Sequence, residues 1–265
     1  MSRGNRGIIG PGSIFAAALV GMVAMLVTGA AQAATTITVN SLLDPTDSGK
    51  CTLRDAMAIA IGGSVAPGDS CGTGTGSPYT IVFSLSGTIT LSSTLPLLNN
   101  DEDNLTITGP NSASSAGITI SGNNTVPIMS VTAENAILSL NYLTLIDGNT
   151  NNGGAISNGG TLNITDCTLS GNQAIFGGAI WNGSSLTIIG STFSANSAIP
   201  GDGQNPGGGA IHNDDTSSTS ITNSTFSNYQ VHNSGGVAFG GAIESISFSS
   251  LILVNDTFSG NKATG

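Results

Sequence analysis

The tetrapeptide Gly-Gly-Ala-Ile occurs four times in the second half of the chain, and each occurrence opens a unit of the same design. The first unit, GGAISNGGTLNITDCTLSGNQA, runs from Gly153 to Ala174, and the second, GGAIWNGSSLTIIGSTFSANSA, from Gly177 to Ala198. The third opens with GGAIHN at Gly208 and reaches STFSNY at Tyr229; the fourth opens with GGAIES at Gly240 and closes with DTFSGNKA. Successive starts lie 24, 31 and 32 residues apart. A period in this range, with one supersecondary unit per period, predicts a solenoid. Each unit is built from Gly, Ser, Thr, Asn, Ile and Phe and lacks helix formers at helical spacing, which excludes a helical solenoid and leaves an all-β one.

Taken as one coil, a unit predicts a tight corner, a short strand, a turn and a second strand ending in an Asn turn. The pairs Gly153-Gly154, Gly177-Gly178, Gly208-Gly209 and Gly240-Gly241 permit positive φ and a close approach of neighbouring coils where a Cβ would clash. Leu162 and Ile164, Leu186 and Ile188, and Ile221 and Leu253 fall at alternating strand positions expected to face the interior. Leu169, Phe193, Phe226 and Phe258 recur at one place in each unit, so parallel stacking predicts a column of them about 4.8 Å apart. Three residues later stand Asn172, Asn196 and Asn261, expected to form a ladder of side-chain amides, with Tyr229 interrupting it. One coil earlier, Ile146 and Asn149 read as the same two positions.

These residues resemble the polymorphic outer membrane protein repeat, marked by GGAI and FxxN, directly over Gly153–Gly265. The resemblance implies a right-handed parallel β-helix, the single-stranded, pectin-lyase-like solenoid, on a bacterial secreted or outer-membrane surface protein, often adhesive. Near the other end, CTLRDA at Cys51 is similar to the CSLREA motif at the head of many exported β-helix proteins, with Thr for Ser and Asp for Glu.

Arg3 and Arg6, an apolar run from Ile14 to Val27 and Ala31-Gln32-Ala33 read as a secretory signal peptide over 1–33, cleaved after Ala33. An uncleaved signal anchor is the alternative. No second apolar run long enough to cross a membrane follows. The formal net charge of −10 becomes more negative when the two leader arginines go, leaving Lys50, Arg54 and Lys262. So few cations carry no nucleic-acid footprint and no attraction to anionic lipid. Export places the cysteines in an oxidising compartment, where Cys51 and Cys71 are expected to pair and Cys167 to stay free as a small buried hydrophobe. His212 and His232 lie far from the cysteines, without zinc-ligand spacing, and no cofactor is implied.

Residues 34–78 read as an N-terminal cap and 79–265 as the stack. In the cap, Thr52 and Asp55 predict a capping box, Gly62-Gly63 the helix stop, and Leu53, Met57 and Ala60 one apolar face that covers the open end of the first coil. Arg54 reads as a surface partner of Asp55, with a catalytic cation as the alternative. From Tyr79 onward the strands and turn signals predict roughly seven coils, about 35 Å of stack. Two insertions, from Ile199 and from His232, lengthen later coils, and such loops commonly carry a solenoid's binding face. Asp202, Asp214 and Asp215 in or near the first could bind calcium, with ordinary solvated turns as the other reading.

These features point to an adhesin-like or envelope module that meets a host or environmental glycan or protein. The alternative on the same fold is a polysaccharide lyase or hydrolase, for which only the adjacent Asp214-Asp215 pair offers clustered carboxylates in the repeats. SGNKATG at Ser259–Gly265 stops where earlier units pass into the next GGAI. An uncapped coil there is expected of a longer surface protein, or of a coil that pairs end to end with a partner.

Overall fold

The computed structural model describes residues 34–64, 70–72, 77–111, 117–201 and 203–265; the leader expected over 1–33 lies outside them, as does Asp202. The described chain is mostly β, with three long sheets and two two-stranded ones, Gln173–Ala174 with Ser197–Ala198 and Gln230–His232 with Lys262–Thr264, in all of which every strand pairing is parallel. The first sheet takes eight strands in sequence order: Thr35–Val39, Tyr79–Phe83, Asn104–Thr108, Ile137–Asn141, Thr161–Thr165, Ser185–Ile189, Ser218–Thr222 and Ser250–Val254. The second runs Gly87–Thr90, Ile118–Ser121, Leu143–Ile146, Thr168–Ser170, Thr192–Ser194, Thr225–Ser227 and Thr257–Ser259. The third holds Met129–Val131, Ile156–Asn158, Ile180–Asn182, Ile211–Asn213 and Ile243–Ser245. From Asn104 to Ser245 each of five passages of the chain lays one strand on each of these three sheets, the arrangement of an all-β parallel solenoid, while the flanking passages contribute to the first or the first two alone. Thr35–Val39, assigned from sequence to the cap, is itself the edge strand of the first sheet, in register with Tyr79–Phe83.

Strand alternation sorts the side chains. In the first sheet Ile81, Ile107, Leu140, Ile164, Ile188 and Ile221 pair in succession and are buried. Leu169, Phe193, Phe226 and Phe258 are partners in the second sheet, and the three phenyl rings stack at 4.7 and 5.0 Å. The column continues upstream through Leu145, not Ile146: Leu145 pairs with Leu169 and is buried, whereas Ile146 pairs with Ser170 on the outer side. A one-residue slip reverses the faces of a strand, so the position corresponding to Asn172 is Gly148 rather than Asn149. The Gly148 N–H donates to Asn172 Oδ1 at 2.8 Å.

The asparagines reach back one coil at a time. Asn196 Oδ1 accepts from the Asn172 N–H, and its Nδ2 donates to Leu169 O at 2.9 Å. Asn261 does the same for Tyr229 and Phe226. Each amide therefore satisfies a backbone donor and acceptor that the turn would leave orphaned. Tyr229 occupies the Asn position of its own coil, fully buried; its hydroxyl lies beside Asn196 but outside hydrogen-bond geometry, and burial pushes the phenol's pKa up.

Two further ladders were not read from the sequence. Asn158, Asn182 and Asn213, the residues after GGAI-x, are buried in the third sheet, and Nδ2 of Asn158 donates to Oδ1 of Asn182 at 2.7 Å. Asn182 continues to Asn213, and Asn213 to Ser245. At the corner between the first and second sheets, Cys167 N–H donates to Ser191 Oγ, Ser191 N–H to Ser224 Oγ, and Ser224 N–H to Asp256 Oδ1. Cys167 is free and buried at this corner rather than on the strand, its Sγ accepts from the Leu143 N–H, and burial pushes its thiol up to about 11.

The first Gly of each GGAI has φ between +52° and +67°. A Cβ on the second, Gly154, would stand 2.3 Å from Gly178 O of the next coil, a contact that only glycine avoids.

Candidate functional site

The helix Leu53–Ala60 begins at Thr52, whose side chain accepts from the Asp55 N–H while the Asp55 carboxylate accepts from the Thr52 N–H. Leu53, Ala56 and Met57 are buried, and the helix packs on the first two strands of the first sheet. Cys51 and Cys71 form a disulfide beside it. Because Asp55 is occupied in the cap, Arg54 takes a different partner from the one expected: its Nε and Nη2 reach both oxygens of Asp44 at 2.7 and 3.1 Å. The guanidinium also donates to Ser93 O and Thr94 O. A bidentate pair of this kind holds geometry as well as charge, and it fixes the segment that enters the first complete coil. Burial alone would raise the pKa of Asp44, but the hydrogen bonds from Arg54 and Ser92 outweigh it and hold the carboxyl below its ordinary value.

Beyond Arg54 the surface opens into a groove of about 620 Å³. Leu95 and Leu98 are buried anchors, and Pro96 and Leu97 between them line the groove. Asn151 and Asn152, at the corner before Gly153, line it too. So do Ser130 and Ser157, partners on the outer side of the third sheet. Apolar groups thus stand beside amides and hydroxyls, and the Arg54 cation at the groove's edge is paired with Asp44, the composition of a site for a neutral polar ligand.

The outer column that starts at Ser130 and Ser157 continues through Trp181 and His212 to Glu244. Trp181, the one tryptophan of the chain, is half-buried, and its indole lies across Gly183, where a Cβ would be 2.5 Å from the ring. His212 Nδ1 lies 2.7 Å from Glu244 Oε2, the Phe176 ring is 5.1 Å from the imidazole, and Gly207 leaves room for the carboxylate. The two insertions lie against each other beside this pair: Asn233 Nδ2 donates to Asn205 Oδ1, and the Phe239 N–H to Pro206 O. Val237 and Phe239 on the second insertion are exposed.

Asp214 and Asp215 form a turn in which Asp214 Oδ1 accepts from the Asp215 N–H and Asp215 Oδ1 from the Phe248 N–H. Among the described residues no group of three His, Cys, Asp or Glu side chains could hold a metal ion, and no helix is long and apolar enough to cross a membrane. His232 is exposed, with Nδ1 3.1 Å from Thr264 Oγ1. The sequence reading missed Trp181 and Glu244. The signal lay in the variable position of GGAI-x, which holds Ser157, Trp181 and His212 in turn and Glu244 in the fourth unit. Comparison with protein families, with characterised proteins and with solved structures found no match to this chain.

Proposed function

We propose that this chain is an exported, right-handed parallel β-helix of the GGAI/FxxN repeat kind, which serves at a bacterial surface as an adhesin-like module for an extended glycan. The observation that carries the reading is the outer column of the third sheet, with the Ser130–Ser157 groove at one end and the half-buried Trp181 farther along. An indole face takes the apolar side of a sugar ring while amides and hydroxyls in the groove meet its hydroxyl groups. A glycan array probed with the mature chain tests it. Trp181→Ala and Asn151→Ala each reduce binding to the preferred glycan at least tenfold if the column is the site; unchanged binding, or selective capture of protein ligands, overturns it. Export is tested on the secreted product by intact mass, with an N-terminus expected at Ala34.

A second reading, cleavage of a polysaccharide on the same fold, is favoured by one observation, the His212–Glu244 pair at 2.7 Å. An imidazole oriented by a carboxylate is competent as a general base. Release of reducing or unsaturated ends from a glycan bound on the array, abolished in His212→Gln, would decide for it.

A further inference from the structure

The outer faces of the stack use their polar groups differently. On the first sheet neighbouring coils satisfy one another: Asn163 donates to Ser139 Oγ and Asn141 to Thr108 Oγ1, and the columns end in Ile252 and Val254. On the second sheet the first outward position is threonine in every one of its seven strands, from Thr88 and Thr119 through Thr168, Thr192 and Thr225 to Thr257. Two residues on, the last four strands all carry serine, Ser170 to Ser259, with Ile146 ending that run. Among the described residues none of the threonine hydroxyls in this column has a protein partner. Thr192 and Thr257 are exposed and Thr168 and Thr225 half-buried.

The pairing is in register from strand to strand, so the hydroxyls repeat at about 4.8 Å along the stack and about 6.7 Å along each strand. Threonine is stiff at χ1, so little side-chain freedom is lost when such a column is held in place. A rigid two-dimensional array of neutral donors and acceptors, each with a methyl beside it, is matched by a ligand that is itself a neutral lattice of similar repeat. A mineral would need carboxylates, and neither column holds one. A crystalline polysaccharide would need exposed rings, and the aromatic residues of this sheet, Phe193, Phe226 and Phe258, all belong to the inward column. Ordered water requires neither. Its oxygen lattice repeats on the same length scale, and weak contacts repeated on a rigid surface add without a new ordering cost.

We propose that the outer face of the second sheet binds ice, the Thr-x-Ser array over Thr168–Ser259 holding water in a lattice continuous with the crystal face. This is independent of the glycan reading, which concerns another sheet. In slow freezing around a cold probe, the mature chain should enrich in the ice fraction several-fold over labelled albumin in the same solution. Its presence should also shape single ice crystals. Thr192→Lys with Thr225→Lys should lose that enrichment, while Thr187→Lys with Ser220→Lys on the first sheet, and Trp181→Ala, should keep it. Circular dichroism of all variants separates loss of the face from loss of the fold. Exclusion of the wild-type chain from ice, equal enrichment of both lysine pairs, or depletion by crystalline cellulose without enrichment in ice overturns the proposal.

Discussion

The two ends of the stack carry the same kind of side chain and leave it in opposite states. At one end Ile37 and Ile81 lie beneath the helix, whose Leu53 and Met57 are buried against the sheet. At the other, Leu253 and Phe258 continue the Ile221 and Phe226 columns and are 44% and 41% exposed, while Phe226 is 0% exposed. Residues Leu251, Leu253, Phe258 and Ala263 border an open hollow there. In a parallel stack a side chain is buried by the coils on both sides of it, so the contribution of a phenyl group depends on its coil and not on its chemistry.

The largest effect that tests this contrast is truncation along the Phe column. Phe193→Ala should cost about 3–5 kcal/mol in urea unfolding, as for any fully buried Phe, and Phe258→Ala roughly 1 kcal/mol because much of its ring already meets water. Equal losses at the two positions would mean that neighbouring coils do not set the burial. Next comes the staple at the covered end. Cys51→Ser with Cys71→Ser opens a loop of sequence separation 20 and should cost about 3 kcal/mol, lost first from the helix, as peptide-resolved amide exchange would reveal.

A smaller loss is expected midway. Asn182→Ala removes one acceptor of Asn158 Nδ2 and one donor to Asn213 Oδ1, but Asn158 keeps Gly160 O and Ser185 O and Asn213 keeps Thr219 Oγ1, so the cost should be about 1 kcal/mol; Asn255→Gly, at an exposed positive-φ position of the last coil, should change stability by less than about 0.5 kcal/mol. The smallest effect is the acid response of the covered end. Asp44 titrates below its ordinary value in the folded chain, so its contribution is fully present above the unfolded value of about 3.9 and is lost as pH falls through the depressed one. Exchange of the Leu53–Ala60 amides should accelerate there relative to the central coils, and Asp44→Asn should remove that difference.

Much of this was legible in the repeats. Glycine at the corner, alternating apolar residues and a recurring Phe-x-x-Asn are local requirements, each satisfied within one unit and repeated, so a linear reading reaches them. Thr52, Asp55 and Gly62 identify the helix for the same reason: their partners lie within one turn of chain.

What only the tertiary structure decided depends on register and on contacts between distant segments. Whether Leu145 or Ile146 enters the core is a one-residue choice that local composition leaves open and the pairing with Leu169 resolves. That Arg54 binds Asp44 and the carbonyls of Ser93 and Thr94, and not Asp55 beside it, follows from the capping box having already engaged that carboxylate. Trp181, His212 and Glu244 become one column only because strands separated by 31 and 32 residues align. The sequence by itself therefore determined the unit and its inward-facing chemistry, since a core selects for composition. The outward chemistry was decided by stacking, which alone turns single residues of successive units into a continuous surface.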